Sequence, residues 1–154
     1  MISIWRIDKA RHAAESFSGE GAYAYGGRWN PQGVRVVYTS DSLALAALEK
    51  FVHLEGLAAA ISFVSFRIDI PESVKVRHLE AGHLPKDWRQ VPAPDATRLV
   101  GQNWVNKNET AILRVPSTII PSEYDYLLNP LHPDFNSLKI SKPSPFSFDP
   151  RLWK

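Results

Sequence analysis

Proline placement limits the elements that this chain of 154 residues can form. Seven of its twelve prolines lie between Pro116 and Pro150, and three more fall in the stretch LPKDWRQVPAPD at 84–95. Because proline has no amide donor and clashes with the preceding helical turn, a long helix does not run through such segments. We therefore predict extended segments and turns for the C-terminal part and an irregular connection over 84–95.

Hydrophobic residues alternate with polar ones in several short runs, which is the pattern of half-buried β-strands. Pro71 and Pro116 bound two of these runs. The predicted strands are ISIWRI (2–7), VRVVYTS (34–40), ISFVSFRIDI (61–70), SVKVRHL (73–79) and AILRVPS (111–117).

Two segments have helical rather than strand periodicity. The stretch SDSLALAALEKFVHLEGL at 40–57 is rich in strong helix formers, with Ser40 or Asp41 as the expected N-cap and Gly56 near its end. The stretch DATRLVGQNWVNKN at 95–108 has Asp95 as a candidate cap and places Leu99, Val100 and Trp104 at helical spacing. Strands and helices do not alternate in a regular βαβ order, so we predict an α+β fold in a single domain over 1–154.

Composition excludes several functional classes. Eighteen Lys and Arg against sixteen Asp and Glu, with no basic run, do not favour direct nucleic-acid binding. The absence of cysteine excludes disulfides, thiolate metal sites and a cysteine nucleophile. No apolar stretch reaches the roughly 20 residues of a membrane span, and no signal peptide is evident, so we expect a cytoplasmic protein with no membrane partner and no metal.

The glycine turn before the second strand carries an arginine, in the sequence GGRWN at 26–30. This turn matches neither GxGxxG nor GxxxxGK[ST], so contacts to a phosphate have to come from side chains. Arg28 offers a planar fork of donors that can bind a phosphate or carboxylate through two hydrogen bonds. The alternative is an arginine stacked on Trp29 or paired at the surface.

Glu49 falls at the edge of the apolar stripe of the first helix, beside Leu45, Leu48 and Val52, whereas Lys50 is expected to point elsewhere. A carboxylate in that position is costly unless it is paired. We consider two interpretations, a partly buried carboxylate directed into a cleft and a flanking charge that extends into solvent.

Four further polar side chains are candidates for a role in a site or a turn. Ser117 follows a strand but has no GxSxG context, so it is either a hydrogen-bonding site residue or part of an ST-turn. In NPLHP, Asn129 and His132 are expected to bond to the backbone of a turn rather than to act in catalysis. Tyr38 lies between the arginine turn and the helix of Glu49, and we expect these side chains to meet in one cleft.

Five motifs in order give the chain a family resemblance. IWRI, GGRWNPQGVRVVYTS, LALAALEKFVHL, LVGQNWV and AILRVPSTIIPSEYDYLLNPLHPDF together resemble the RES-domain toxins of bacterial Xre-RES type II toxin–antitoxin systems. The arginine, glutamate and serine for which that family is named correspond to Arg28, Glu49 and Ser117. Tyr38 and Arg6 match its strand tyrosine and first-strand arginine. Asp125 is a departure, since the family motif favours asparagine there.

The resemblance implies a fold and a chemistry. The fold is an ADP-ribosyltransferase-like mixed sheet with flanking helices, and NAD is a consumed substrate rather than a cofactor. The implied activity is NAD depletion by hydrolysis or phosphorolysis of the nicotinamide–ribose bond. The alternatives are mono-ADP-ribosylation of a cellular protein and, in another class, a non-enzymatic module that binds a phosphorylated ligand.

The resemblance also assigns roles and partners. Glu49 would stabilise the ribosyl cation, Arg28 with Arg6 would bind the diphosphate, and Tyr38 and Ser117 would contact the nicotinamide or ribose. The glycines would then make room for NAD. The implied protein partner is a cognate Xre-like helix-turn-helix antitoxin, with a homodimer or a toxin–antitoxin hetero-oligomer as the assembly.

Overall fold

The computed structural model describes residues 1–54 and 60–153. Its strands and α-helices follow one another in the order β1 (Ile2–Lys9), α1 (Glu20–Tyr25), β2 (Val37–Ser40), α2 (Leu43–Phe51), β3 (Phe63–Ile70), β4 (Val76–His78), α3 (Asp95–Lys107), β5 (Ile112–Pro116), β6 (Tyr124–Leu128), β7 (Lys139–Ile140) and β8 (Ser144–Phe146). Short 3-10 helices form over Ala10–Glu15, Ala81–His83, Pro133–Ser137 and Pro150–Leu152.

One mixed sheet contains all of these strands, in the spatial order β4-β5-β6-β2-β1-β3-β7, with β8 also paired to β3. The β4–β5 pair is parallel, and the other pairs are antiparallel. Strands and helices are not arranged as repeated βαβ units, and the α+β prediction is confirmed. The order matters for function because it places β6 between β5 and β2, which are distant in sequence.

Both faces of the central strands are buried, which explains the apolar content of β5 and β6. On β6, Tyr126 and Leu128 belong to one hydrophobic cluster, whereas Leu127 between them belongs to a second. On β5, Ile112 and Leu113 divide between the same two clusters. Successive side chains of a strand point to opposite faces, so a strand covered on both sides has a continuous apolar run.

A third cluster connects the C-terminal segment to α2. Phe148 is buried and packs edge to face against Phe63 and Trp153. Phe51 of α2 packs against Phe148 and Trp153. Aromatic pairs in this geometry contribute roughly 0.5–1.5 kcal/mol each beyond their burial. The C-terminal segment therefore stabilises the helix that carries Glu49.

The helix α2 starts later than the sequence indicates. Ser42, rather than Ser40 or Asp41, is its N-cap, and the Ser42 hydroxyl accepts a hydrogen bond from the Leu45 amide at 3.0 Å. Ser40 and Asp41 are instead bound to β6, so tertiary contacts compete with local capping. The helix ends at Phe51. The predicted stop at Gly56 lies outside the described residues.

The helix α3 follows Pro94, and the side chain of Asp95 does not cap it but lies in its first turn. Leu99, predicted on the apolar face, is half exposed, while Trp104 and Gly101 are buried. Gly101 contacts the loop of Trp29 so closely that a Cβ added to it would lie 1.6 Å from the Trp29 carbonyl oxygen. One turn earlier, the Thr97 hydroxyl donates to the Arg28 carbonyl at 2.7 Å. The helix thus docks directly onto the turn GGRWN at 26–30, which carries Arg28 and is called the arginine loop below.

The structure differs from the predicted strands and turns at three places. The C-terminal part, expected to be extended segments and turns, contains β6, which lies inside the sheet. The segment before GGRWN contains α1, and β2 begins at Val37 rather than at Val34, although Val34 and Val36 pack in one hydrophobic cluster with Tyr38. The sequence of β6, YDYLL, has no clear period 2, because three apolar residues follow Asp125 in succession, which is why the pattern did not indicate a strand.

The turn after β6 forms as predicted. Asn129 accepts a hydrogen bond from the Leu131 amide at 3.0 Å, and His132 Nδ1 accepts one from the Asp134 amide at 3.0 Å. Both residues therefore stabilise the turn. None of the helices in the described residues is long and apolar enough to span a membrane.

The close contact between α3 and the Trp29 loop gives a test of the fold. We expect Gly101→Ala to destabilise the protein by about 3 kcal/mol or more, because a methyl group cannot fit against the Trp29 carbonyl and the helix has to move. Urea unfolding measures this loss. Gly82→Ala is the matched control, since nothing lies within 4 Å of its added Cβ. Equal unfolding midpoints for the Gly101 variant and the wild type would contradict the packing.

Candidate active site

A cleft of about 1060 Å³ opens where the arginine loop, the strands β1 and β2 and the helix α2 meet. Of the predicted site residues, Arg6, Arg28, Tyr38 and Glu49 line it. Ser117 is fully buried, and its neighbours Thr118 and Ile119 line the cleft. The structure therefore brings all five predicted residues to one place.

Glu49 is held by the serine that follows β5. The Ser117 hydroxyl donates to Glu49 Oε1 at 2.7 Å and accepts from the amides of Ile119 and Ile120, both at 3.1 Å. Ser117 thus forms an ST-turn and also binds Glu49, while its role toward a ligand stays a prediction. The hydroxyl of Ser117 donates its single hydrogen bond to Glu49, and two amides donate to its oxygen, so Ser117 is a residue that orients Glu49. Glu49 is partly buried at the cleft wall rather than extended into solvent.

A second carboxyl group lies beside Glu49. Asp125 on β6 is buried and accepts a hydrogen bond from the Ser40 hydroxyl at 2.7 Å. Burial, followed by hydrogen bonding to Glu49 and the charge of Glu49, raises the pKa of Asp125 well above its usual range. Sequence reasoning noted Asp125 only as a departure from a motif. Its proximity to Glu49 depends on the insertion of β6 between β2 and β5.

Arg28 neither stacks on Trp29 nor forms an ion pair at the surface, the two arrangements that its neighbours in sequence suggested. Its Nη1 donates to the carbonyl oxygens of Trp88 at 3.0 Å and Gln90 at 2.8 Å. Trp29 packs against Trp88, with ring centroids 6.4 Å apart, and not against the guanidinium. Within the described residues, Nε and Nη2 of Arg28 have no hydrogen-bond partner. Half of the fork therefore holds the 88–90 segment, and the other half is available to a ligand in the cleft.

Burial lowers the pKa of Arg28, while the nearby charge of Glu49 opposes that shift. Arginine nevertheless stays protonated in proteins, so the side chain is a permanent cation in the cleft. A cation and a carboxylate thus lie in one cleft without forming a close ion pair, an arrangement in which each can bind a different part of a ligand.

Tyr38 fixes the glycine turn through its hydroxyl. It donates to Asn30 Oδ1 and accepts from the Trp29 amide at 3.2 Å. Burial raises the pKa of Tyr38 well above its ordinary value, so the hydroxyl remains a donor. A Cβ at Gly27 would lie 2.6 Å from this hydroxyl. Gly27 therefore makes room for Tyr38, and it also lines the cleft. That the glycines leave space for NAD stays a prediction.

Arg6 lines the cleft, but its nitrogens are used within the protein. Nε donates to Ser16 Oγ at 2.8 Å, Nη1 to the Tyr38 carbonyl at 3.0 Å and Nη2 to Asp8 Oδ2 at 3.2 Å. Burial lowers the pKa of Arg6, and Asp8 opposes this effect. Its observed contacts join β1 to β2, and its predicted contact with a diphosphate stays a prediction.

Other cationic side chains at the cleft are not evident from the sequence. Arg89 and Arg98 line the cleft. The charge of Arg98 is close enough to lower the pKa values of Arg28 and Tyr38. Lys50, expected to point elsewhere, also lines the cleft, where burial lowers its pKa. His53 follows one turn later. No motif signals these residues, since more than sixty positions separate Arg28 from Arg89.

The site offers cations and hydrogen bonds rather than metal ligands. Within residues 1–54 and 60–153, no three His, Asp or Glu side chains cluster as a metal site requires. The arrangement suits an anionic ligand with one group that carries positive charge, which Glu49 can face.

Comparison with known proteins gives close relatives along the whole chain. The sequence is 39% identical to Toxin Res of Yersinia enterocolitica over 98% of this chain and 99% of that protein. It is also 39% identical to the Prs ADP-ribosylating toxin of a Sphingobium species, over 97% of this chain and 96% of that protein. Toxin Res of Pseudomonas putida is 36% identical over 97% and 99%.

The fold is shared with a solved structure. A chain in the crystal structure of the Mycobacterium tuberculosis MbcT–MbcA toxin–antitoxin complex superposes with a TM-score of 0.77 at 19% identity, covering 98% of this chain and 86% of that one. Residues 3–149 match the RES domain, a span that includes every predicted site residue. This chain therefore belongs to the RES-domain family.

Proposed function

We propose that this chain is the toxin of a toxin–antitoxin pair and that it depletes NAD by cleaving the nicotinamide–ribose bond. Water as the acceptor yields nicotinamide, ADP-ribose and a proton, and phosphate as the acceptor yields the phosphate ester of ADP-ribose. The observation that carries the proposal is the Glu49 carboxylate, which Ser117 orients at the wall of a cleft that also contains arginines.

Glu49 supplies the electrostatics that this reaction needs. As nicotinamide departs, positive charge develops on the ribose in an oxocarbenium-like transition state, as it does in glycoside cleavage. A preoriented carboxylate stabilises that charge and can accept a hydrogen bond from the ribose 2'-hydroxyl. Nicotinamide leaves as a neutral molecule, so the reaction does not require a strong general acid.

The cations of the cleft suit the diphosphate. Arg28 has Nε and Nη2 available, and Arg89 and Arg98 lie on the same cleft. Guanidinium groups bind phosphate oxygens through paired, charge-assisted hydrogen bonds. A volume of about 1060 Å³ is at the upper end of small-molecule sites, as a dinucleotide requires.

A partner protein follows from the proposed toxicity, because a cell that makes this enzyme has to restrain it. We propose a helix-turn-helix antitoxin that covers the cleft, with both proteins in the cytoplasm. The structural relative supports this proposal, since it was solved as a toxin–antitoxin complex.

Transfer of ADP-ribose to a protein is the second candidate, and one relative, which is named an ADP-ribosylating toxin, favours it. Both activities share the bond cleavage and differ in the acceptor. Incubation of the purified protein with NAD separates them. Free ADP-ribose indicates hydrolysis, its phosphate ester indicates phosphorolysis, and nicotinamide release that requires added lysate indicates transfer. Absence of nicotinamide release in all conditions would favour a non-enzymatic binding module.

Removal of the Glu49 charge tests the catalytic role. We expect Glu49→Gln to lower kcat for nicotinamide release about 100- to 1000-fold, since the ribosyl cation loses its counter-charge, with little change in affinity for NAD. Chromatographic quantification of nicotinamide gives the rate. Glu72→Gln, at an exposed position, is the matched control. Wild-type turnover by the Glu49 variant would refute the role.

Removal of the Arg28 side chain tests diphosphate binding. In the Glu49→Gln background, where NAD persists, we expect Arg28→Ala to weaken NAD binding about 10- to 100-fold, the effect of losing charge-assisted hydrogen bonds. Calorimetry measures the affinity, and Arg11→Ala at an exposed position is the control. Arg28 also holds the 88–90 segment, so circular dichroism melting has to show an intact fold. Equal affinities with and without the Arg28 side chain would contradict this assignment.

A further inference from the structure

Two carboxyl side chains from different elements meet at the wall of the cleft. Glu49 comes from α2 and Asp125 from β6, and both line the cleft. The β5–β6 register places Asp125 opposite Val115, two residues before the Ser117 that donates to Glu49. Hydrogen bonding to Glu49 is also one of the causes that raise the pKa of Asp125. Each has a hydroxyl partner on its other side, since Ser117 donates to Glu49 Oε1 and Ser40 donates to Asp125 Oδ1, both at 2.7 Å. Two ionised carboxylates cannot hydrogen-bond to each other, so a hydrogen bond between these two groups requires a proton.

Cations do not neutralise the pair. None of the ion pairs formed by residues 1–54 and 60–153 includes Glu49 or Asp125. Arg6 and Lys50, which line the same cleft, pair with Asp8 instead. Two adjacent carboxylates that lack a close ion-pair partner share a proton, because the second ionisation would bring like charges together at low dielectric.

Burial distinguishes the two carboxyl groups. Asp125 is 8% exposed, in the sheet between β2 and β5, whereas Glu49 is only partly buried and faces the cleft. The charged form is less costly on the side chain with access to solvent, and Arg28 adds a favourable charge near Glu49. The pair therefore places the proton on Asp125 and the negative charge on Glu49.

We propose that Asp125 is a positioning residue that stays protonated at neutral pH and donates a hydrogen bond to Glu49, keeping that carboxylate ionised and directed into the cleft. This inference rests on the proposed function, in which Glu49 faces the ribosyl cation. Ser117 and Asp125 then hold Glu49 by two hydrogen bonds, which leaves its remaining lone pairs for the ligand.

The surroundings of Asp125 support the same assignment. Burial is the largest cause of its raised pKa, followed by Glu49, and Asp41 adds to it. Ser40 acts in the opposite direction by donating to Asp125. Charged and titratable groups from the elements around the pair are Glu49 and Lys50 on α2, Tyr38 on β2, Asp41 after β2, Arg6 on β1, Arg28 in the glycine turn, Arg98 on α3 and His53 after α2.

The proposal predicts a pH dependence that originates at Asp125. As pH rises through its raised pKa, Asp125 loses its proton, the hydrogen bond to Glu49 is lost and the two charges repel. We expect kcat for nicotinamide release to fall in this range, while KM changes little. In Asp125→Asn, Oδ1 still accepts from Ser40 and the amide donates to Glu49 without titrating. We expect this variant to stay within about threefold of wild-type kcat at the wild-type optimum and to lack the fall at high pH.

Two other variants complete the activity experiment. Asp125→Ala removes the donor, and we expect at least a tenfold loss of kcat, which the Asn variant restores. His53→Gln tests whether the histidine at the cleft causes the fall of kcat at high pH, and we expect that fall to persist in this variant. The proposal is overturned when Asp125→Asn has the wild-type pH profile, or when it loses as much activity as Asp125→Ala.

A direct measurement of the proton does not depend on activity. In protein labelled with ¹³C at the aspartate carboxyl carbons, we expect one resonance of a protonated carboxyl at pH 7, absent from Asp125→Asn. Titration of all aspartates in their ordinary range would overturn the proposal whether or not the protein cleaves NAD. Conversely, if NAD is not cleaved but the protonated resonance is present, the proposed function fails while the proton assignment stands.

Thermal unfolding provides a second such readout. Native Asp125 keeps a proton that the unfolded chain releases, so its contribution to stability is present below the ordinary aspartate pKa and is lost as pH rises through the raised pKa. We expect the Tm of wild type and of Asp125→Asn to agree at low pH and the wild-type Tm to fall below that of the variant as pH rises. A constant Tm difference across pH would count against the proton on Asp125.

Discussion

Contact between α3 and the backbone of Trp29 determines where the arginine loop lies. Gly101 allows the helix to approach the Trp29 carbonyl, and Thr97 donates to the carbonyl of Arg28. The Trp29 ring is then buried in the cluster that includes Trp88. Since Arg28 precedes Trp29, these contacts place its guanidinium at the cleft, where it bonds to the 88–90 segment. Apolar packing thus positions a charged side chain, and a ligand site built this way does not have to form on binding.

Hydrogen bonds between hydroxyl and carboxyl groups join four parts of the chain around Glu49, which lines the same cleft as Arg28. Ser40 of β2, Asp125 of β6, Glu49 of α2 and Ser117 after β5 form one connected series. The series exists because β6 pairs with both β2 and β5. In such a buried network each member limits the protonation state of the next, so an acidic group can keep its neighbour charged. The sheet order therefore affects the electrostatics of the cleft as well as its shape.

Much of the fold and part of the site could be predicted from local patterns. Alternation identified β1, β3, β4 and β5, and helix formers identified α2 and α3, because these signals depend on residues a few positions apart. The strand β6 escaped, since both its faces are buried and its apolar run does not alternate. The cap of α2 was misplaced because Ser40 bonds to Asp125 across the sheet. Long-range pairing decided both cases.

Sequence by itself determined the composition of the site, since Arg28, Tyr38, Glu49 and Ser117 occur in an order that resembles the RES-domain family. Tertiary structure decided what these groups do for one another. It divided the Arg28 donors between the 88–90 segment and the cleft, used Gly27 to admit the Tyr38 hydroxyl, and brought Asp125 to Glu49. The physical reason is that hydrogen bonds and desolvation act over a few ångströms in space, and a chain position does not specify which residues come that close until the sheet has formed.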